Sequence, residues 1–338
     1  MASKPTTTSP HLVGLVAEAL GAKSPSDIEI TSTIDANEGR GVFSDVTRVG
    51  VRSLTRRPLP VDSVVVKSPS LGPTGDAARA SGACAREALA YRELLRHTPV
   101  RAPKLWLAKD DGSGGVSLVL EDLCAYRRVD QITGLDEDDA LSVVGALSSL
   151  HNEWRSKDRL ELLDTHKVRK SAPKGFAPES LENGVKALAQ NWAASIAPQH
   201  LRAFYAMAER RDHLIEVFNE GPPTLCHGDP RADNLVFDTD GQAVLFDWQQ
   251  IAVQPGAADL AWLAATSLTS ETRTSAQAAL IKQYGTTVEA FRKAMVLPGL
   301  AVLLLAQRQI NDRRTQVMVA TSLSRIGAAL VDLDVPAQ

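Results

Sequence analysis

The chain has 338 residues, of which 44% are hydrophobic and 23% charged, and its formal net charge is -3. This length and composition suit a globular protein with room for two lobes, each with its own core. The near-neutral charge provides no broad basic surface, which argues against nucleic acid or a membrane surface as a partner.

No apolar run approaches the roughly 20 residues that cross a bilayer. Residues 1–10 are rich in Thr, Ser and Pro and lack the apolar stretch of a signal peptide, so we expect a disordered tail and a cytoplasmic protein. The cysteines lie far apart without CxxC spacing, which predicts reduced, mostly buried thiols rather than a disulfide or zinc framework: Cys84, Cys124 and Cys226.

Residues 11–122 alternate strand-like runs with turns and contain one helical stretch, which predicts a small lobe with an antiparallel sheet and a packed helix. A turn bearing Gly39 and Gly41 separates the first two strands, and the third strand ends at Lys67. The predicted strands cover 28–34, 44–51, 61–67 and 116–120, and the predicted helix covers 77–96.

Residues 123–338 have mostly helical periodicity, which predicts a larger helical lobe. The apolar positions from Leu141 to Trp154 define its first helix, and further helices are expected at 178–194, 199–219, 256–268, 275–284, 289–310 and 315–331. One short β region, from Thr224 to Asp247, interrupts this pattern. The fold class is therefore α+β with two lobes.

The β region contains the segment HGDPRADN, residues 227–234, and then two short strands joined by Asp-Thr-Asp-Gly. That turn predicts a hairpin, since its glycine can adopt a positive φ. Asn234 begins the first strand and Asp247 ends the second, so the hairpin predicts that an amide oxygen and a carboxylate lie close together. Asp229 precedes the hairpin by five residues. Two oxygen ligands beside a third carboxylate suit Mg²⁺ and phosphoryl transfer, which needs a metal and a carboxylate that accepts the proton of a hydroxyl.

HGDPRADN followed by LFDWQ resembles the aminoglycoside phosphotransferase and choline/ecdysteroid kinase-like superfamily, in the form found in bacterial members of unassigned substrate. The resemblance extends over nearly the whole chain, through LVLEDL at 118–123, LSSLHNEW at 147–154 and PGAADLA at 255–261. It implies a protein-kinase-like fold and an ATP-dependent phosphotransferase with an alcohol group as acceptor.

By that resemblance Asp229 is the catalytic base, and Asn234 and Asp247 hold Mg²⁺. Lys67 is then the lysine that anchors the phosphates of ATP, with Glu87 on the following helix as its partner. The remaining implied nucleotide contacts are the glycine-bearing turn and the hinge: Gly39, Gly41, Ser44, Glu121 and Leu123. The sequence has no complete GxGxxG, and Phe-Asp-Trp replaces the Asp-Phe-Gly of protein kinases.

Several residues have simpler interpretations. Glu87 is alternatively a surface residue of its helix, as Glu93 is, and Gly39 and Gly41 occur in any tight turn. Arg231 either steadies the loop or contacts the acceptor or a phosphate. Trp154 lies on an apolar helix face, where core packing competes with a place beside the acceptor.

The acceptor is expected to be a small hydroxylated metabolite. Acidic and basic residues nearly balance over 199–338, whereas a polycationic aminoglycoside calls for a strongly acidic cleft. An aminoglycoside phosphotransferase is the first alternative, and a pseudokinase that binds nucleotide without transferring phosphate is the second. The sequence does not distinguish ATP from GTP or give the oligomeric state.

Overall fold

The computed structural model describes residues 9–36, 44–168, 176–310 and 312–337. The chain divides into two compact units. The first comprises Met1–His97, Ala102–Tyr126 and Phe246–Gln249, and the second comprises Thr98–Arg101, Arg127–Leu245 and Gln250–Gln338. The sequence-based boundary between residues 122 and 123 divides the chain once. In the structure, the four residues Phe246–Gln249 belong with the first unit, although the segments on both sides of them belong with the second.

The first unit contains a five-stranded antiparallel sheet with the strand order β1-β2-β3-β5-β4. Lys67 lies in the central strand β3, where it pairs with Val46 on one side and Leu118 on the other. Strand β4 has no counterpart in the sequence-based prediction. The strands are β1 (Ile28–Asp35), β2 (Ser44–Ser53), β3 (Ser63–Pro69), β4 (Leu105–Asp110) and β5 (Val116–Glu121).

Three helices accompany this sheet: α1 (Pro10–Ala19), α2 (Pro73–Ala80) and α3 (Ala83–Leu89), the last continued by a π-helical turn over Ala90–Leu94. The single helix expected over 77–96 is broken because Gly82 adopts a φ of 69°, a left-handed conformation that ends one helix and begins the next. Ser9 and Pro10, which the sequence analysis assigns to the expected tail, lie at the start of α1. Ser9 caps α1 through a hydrogen bond to the N–H of Leu12, and residues 1–8 lie outside the described part of the chain.

The second unit is mostly helical, as the periodicity predicts. Two expected helices are each split in two, at Arg210 and at Met295, and α5 was not predicted. The helices are α4 (Glu137–Glu153), α5 (Lys157–Thr165), α6 (Pro178–Asn191), α7 (Pro198–Glu209), α8 (Arg211–Asn219), α9 (Ala257–Ser267), α10 (Ser270–Tyr284), α11 (Val288–Ala294), α12 (Val296–Ala306) and α13 (Arg313–Asp332).

Two small antiparallel ladders complete the second unit. Strands β7 (Leu235–Phe237) and β8 (Ala243–Leu245) form the predicted hairpin, with Leu235 opposite Leu245. Strand β6 (Pro223–Cys226) pairs with β9 (Ala252–Pro255), which lies beyond the predicted β region. The loop between β6 and β7 is therefore fixed at both ends by strand pairing.

Of the cysteines, Cys84 and Cys226 are buried as expected, whereas Cys124 is exposed. Among the residues that the structure describes, no helix is both long enough and apolar enough to cross a membrane.

Candidate active site

The second residue of the loop between β6 and β7 is a glycine that no other residue can replace without strain. Gly228 has a φ of 84°, and a Cβ atom built on it would lie 2.2 Å from the carbonyl oxygen of Gln250. Both the left-handed conformation and the close approach of a second backbone require glycine here. The chain thereby turns sharply just before Asp229.

The carboxylate of Asp229 is held by three side-chain donors from the same unit. Its Oδ1 accepts a hydrogen bond of 2.8 Å from the indole Nε1 of Trp262 in α9. Its Oδ2 accepts from the amide Nδ2 of Asn234 at 3.1 Å and from Nε of Arg231 at 3.3 Å. The side chain keeps 17% of its surface exposed. These contacts restrict the carboxylate to one orientation without burying it completely.

Asn234 is buried and uses its amide nitrogen within the loop. Nδ2 donates to the backbone oxygen of Asp229 at 2.9 Å as well as to its carboxylate. This fixes which end of the amide faces Asp229, because only the nitrogen can donate. Oδ1 is then the amide atom that can serve as a metal ligand, as the sequence-based hypothesis requires.

Helix α9 holds the loop backbone through a buried carboxylate. Asp259 accepts hydrogen bonds from the backbone N–H of His227 at 2.7 Å and of Gly228 at 2.9 Å. It also contacts Nε2 of the fully buried His151 at 3.2 Å, and Nδ1 of His151 lies 2.7 Å from the hydroxyl of Tyr284. Asp259 therefore braces the backbone of the loop at its first two residues.

His151, Asp259 and Cys226 present possible metal-ligand atoms within 4.8 Å of one another. Hydrogen bonds within the protein already account for these groups, since both ring nitrogens of His151 have partners and the thiol of Cys226 donates to the backbone oxygen of Gln254. We interpret the group as a structural cluster. Burial raises the pKa of the Cys226 thiol well above its usual value, which also opposes thiolate ligation.

Arg231 lies between two acidic side chains of the loop. Its Nη1 is 3.6 Å from the carboxylate of Asp233, in addition to the contact of Nε with Asp229. Asp233 in turn lies 3.8 Å from Nη2 of Arg314. The other terminal nitrogen of Arg314, Nη1, pairs with Asp130 at 2.7 Å. Of the roles left open for Arg231, steadying the loop is the one with contacts in this structure.

In the first unit, Lys67 forms ion pairs with two carboxylates. Its Nζ lies 2.7 Å from Oε2 of Glu87 in α3 and 2.7 Å from Oδ1 of Asp247. The expected Lys67–Glu87 pair is therefore present, and the alternative of Glu87 as a surface residue is wrong, because the side chain is 4% exposed. The segment that carries Asp247 is attached to α3, since Nε of Arg86 donates to the backbone oxygen of Gln249 at 3.0 Å.

The pKa values of this group follow from one ammonium shared between two acids. Burial lowers the pKa of Lys67, but the charges of Asp247 and Glu87 outweigh it and raise that pKa above its usual value. Burial raises the pKa of Glu87 to about 7, against the opposing effect of Lys67 and with a further increase from Asp247. The pKa values of Lys67 and Glu87 can both be raised because two carboxylates act on one ammonium, which cannot fully neutralise both of them.

Asp247 adopts a φ of 63°, which is uncommon for a residue other than glycine. Its carboxylate accepts a hydrogen bond of 3.3 Å from Nε2 of Gln249 in addition to the contact with Lys67. Non-glycine residues in this region of φ/ψ space cluster at ligand-binding and catalytic sites, and they persist only where surrounding contacts fix them. The conformation and the two contacts mark Asp247 as a functional candidate independently of its place in the sequence motif.

The remaining predicted nucleotide contacts are less defined. Gly39 and Gly41 lie outside the described residues, and Ser44 is the first residue of β2. At the predicted hinge, the N–H of Glu121 donates to the oxygen of Lys104, and the oxygen of Leu123 accepts from the N–H of Tyr126.

Trp154 is fully buried, so of its two interpretations the structure favours core packing. In contrast, sequence analysis did not identify Trp262, Ser267 or Gln249. Trp262 lies three residues after Asp259 and thus on the same face of α9.

Comparisons with known proteins identify the family and the fold of the chain. The model of the family described as "Phosphotransferase enzyme family" matches residues 62–295, more than half of the chain. A search of curated proteins gave no match.

Solved structures with the same fold include aminoglycoside 2'-phosphotransferase-IIIa as a GDP complex, at 12% identity and a TM-score of 0.59 over 95% of this chain and 98% of that one. A choline/ethanolamine kinase family protein from Mesorhizobium loti gives 16% identity and a TM-score of 0.56 over 97% and 94%. Amicoumacin kinase hAmiN, in complex with AMP-PNP, Ca²⁺ and Ami, gives 15% and 0.56 over 94% and 93%. The expected protein-kinase-like fold is confirmed, and the chain belongs to the phosphotransferase enzyme family.

Proposed function

We propose that this protein is a small-molecule kinase that transfers the γ-phosphoryl group of ATP to a hydroxyl group, with Asp229 as the general base. The observation that carries this proposal is the environment of the Asp229 carboxylate, which three side-chain donors orient while it remains partly exposed. Hydrogen bonds to the ionised form favour a carboxylate that can accept a proton from the acceptor.

The transfer step balances as follows. The acceptor oxygen forms a bond to the γ-phosphorus, the bond between that phosphorus and the bridging oxygen of the β-phosphate breaks, and ADP leaves with that oxygen. Asp229 orients the hydroxyl and takes its proton. A pseudokinase needs no such carboxylate, so the set of donors on Asp229 favours an active enzyme over that alternative.

Lys67 is the proposed anchor for the phosphates of ATP, with Glu87 holding its ammonium in place. The nucleotide-bound neighbours, one with AMP-PNP and one with GDP, are consistent with a nucleotide as donor. The hinge residues Glu121 and Leu123 and the residues Gly39, Gly41 and Ser44 stay predictions for adenine and phosphate contacts.

Asn234 and Asp247 are the proposed Mg²⁺ ligands. Their donor atoms, an amide oxygen and a carboxylate, are of the type that Mg²⁺ prefers, and the fixed amide of Asn234 presents oxygen rather than nitrogen for this purpose. When bound, the metal neutralises charge on the β- and γ-phosphates. The carboxylate excess around Lys67, two acids against one ammonium, also favours a cation at Asp247.

The acceptor is proposed to be a small hydroxylated metabolite. The neighbours named above are kinases of compounds as different as amicoumacin, aminoglycosides and choline or ethanolamine, so the fold does not select among them. The ion pairs that occupy Asp233 and Asp130 leave these acids less suited to bind a polycationic antibiotic.

A screen of hydroxylated metabolites, with aminoglycosides included, tests the proposal. Purified protein, ATP and Mg²⁺ are incubated with each compound, and release of ADP above the acceptor-free rate is measured. We expect the Asp229→Asn variant to lose this activity by a factor of at least about 100, since general-base catalysis commonly contributes that much. Near-normal turnover in Asp229→Asn would refute the assignment of the base.

Calorimetry of Mg-ATP binding tests the metal ligand. Asp247→Ala should weaken the binding of Mg-ATP by at least about tenfold, because one anionic ligand of the cation is lost. Binding of ATP in EDTA should change far less, which separates the metal from the nucleotide. An unchanged affinity for Mg-ATP would contradict the assignment.

A further inference from the structure

Trp262 contacts the proposed catalytic carboxylate directly, although no motif in the sequence assigns it a role. Its indole Nε1 donates a hydrogen bond of 2.8 Å to Oδ1 of Asp229, the shortest of the three side-chain hydrogen bonds described for that carboxylate. An indole N–H can only donate and does not ionise near neutral pH. The indole therefore stays a hydrogen-bond donor to Oδ1 of Asp229 across the pH range of an assay.

The position of Trp262 in α9 explains how the contact is held. Asp259, three residues earlier on the same face, binds the backbone N–H groups of His227 and Gly228. Ser267, at the other end of the helix, accepts a hydrogen bond of 2.9 Å from the N–H of Ala232. The helix thus follows the loop from 227 to 232, with Trp262 between two backbone anchors and opposite Asp229.

We infer that Trp262 is a positioning residue that sets the orientation of Oδ1 of Asp229, and this inference rests on the proposed function. Asn234 and Arg231 hold the other oxygen of the carboxylate, and each has a second partner, since Asn234 also binds the backbone oxygen of Asp229 and Arg231 contacts Asp233. Trp262 acts from outside the loop, on a helix whose place is fixed separately. It is the contact that ties the side chain of Asp229 to the helical core.

The test variant is Trp262→Phe, which removes the N–H group and keeps an aromatic ring. Trp192→Phe is a matched control, because the indole of Trp192 donates one hydrogen bond of 3.1 Å to the backbone oxygen of Ala306 and is also partly buried. Both variants lose one indole hydrogen bond, but only one of the two bonds reaches Asp229. Urea unfolding of both proteins establishes that they are folded.

Kinetics with an acceptor found in the screen are the first readout. We expect Trp262→Phe to lower kcat by about tenfold to a hundredfold, the value of one hydrogen bond to a charged group, with KM for ATP and for the acceptor nearly unchanged. Trp192→Phe should leave kcat and both KM values unchanged.

A second readout needs no activity. The indole N–H signals of the five tryptophans are recorded by NMR, and the signal of Trp262 is assigned by its absence in Trp262→Phe. Asp229→Asn should shift that signal, because a hydrogen bond to a carboxylate becomes one to a neutral group. It should leave the signal of Trp192 in place.

Three results would overturn the inference while leaving the proposed function intact. The first is an indole signal of Trp262 that does not respond to Asp229→Asn. The second is an active enzyme in which Trp262→Phe keeps the kcat of Trp192→Phe. The third is a rise in KM for the acceptor at constant kcat, which would make Trp262 a wall of the acceptor site instead. Absence of any phosphoryl transfer by the wild type would refute the proposed function itself.

Discussion

At Lys67 one ammonium is shared by Glu87 and Asp247, so the three side chains together carry a net charge of -1 when all are ionised. Glu87 is the more deeply buried of the two acids, and this burial raises its pKa to about 7. Such perturbed carboxylates are common at functional sites, where a bound cation offsets the excess charge. The stability of this group therefore depends on pH.

The stability of the protein should fall as the pH rises through the range in which Glu87 ionises. The folded-state pKa of about 7 exceeds the ordinary value of 4.5, so between these values the folded protein binds more protons than the unfolded chain and the free energy of unfolding decreases with pH. Between pH 5 and pH 7.5, the free energy of unfolding of the wild type should decrease by roughly 1–3 kcal/mol relative to that of Glu87→Gln.

Urea unfolding across this pH range measures the effect, with Glu93→Gln as the control at an exposed position nearby. A difference between wild type and Glu87→Gln that stays constant with pH, or that grows in favour of the wild type, would show that Glu87 is not the buried acid described here.

Helix α9 is the element that places the loop from His227 to Ala232. Asp259, Trp262 and Ser267 contact successive parts of that loop, so the geometry of Asp229 depends on the packing of one helix. Gly256, just before the helix, allows this packing, because a Cβ atom there would lie 2.3 Å from the hydroxyl of Tyr284 and 3.0 Å from Nδ1 of His151.

Replacing the carboxylate of Asp259 should destabilise the protein. In Asp259→Asn an amide NH₂ faces a backbone N–H that the carboxylate oxygen used to bind, and we expect a loss of about 2–5 kcal/mol in the free energy of unfolding. Asp136→Asn is the matched control, since Asp136 caps α4 at an exposed position and asparagine caps helices equally well. Equal stabilities of the two variants would contradict the bracing role of Asp259.

The sequence predicted the β7–β8 hairpin because its turn residues and flanking apolar runs are local, and the register with Leu235 opposite Leu245 agrees with that prediction. It also paired Lys67 with Glu87 correctly, by way of the family resemblance. It did not predict the break at Gly82, which local helical periodicity conceals, or strand β9, whose partner β6 lies about 30 residues away. The contact between Trp262 and Asp229 depends on tertiary packing, which no spacing in the sequence specifies.

At the scale of the whole molecule, each of the two units carries part of the proposed chemistry. The first contains Lys67 and Glu87, proposed for nucleotide binding, and the proposed metal ligand Asp247. The second contains the proposed base Asp229 and the proposed metal ligand Asn234. The short segment Phe246–Gln249 brings Asp247 into the first unit, although the hairpin that precedes it belongs to the second. Asp229 is not among the residues proposed to bind nucleotide or metal. We therefore expect its variants to change phosphoryl transfer without changing the binding of nucleotide.

That separation defines the most direct test of the central claim, that Asp229 is the base of a phosphoryl transfer. Wild type and Asp229→Asn, both saturated with Mg-ATP, are mixed with the acceptor from the screen, and the phosphorylated product is measured in a single turnover. We expect Asp229→Asn to bind Mg-ATP with nearly the wild-type affinity and to form product about 10²- to 10⁴-fold more slowly. Product formation at close to the wild-type rate would contradict the account.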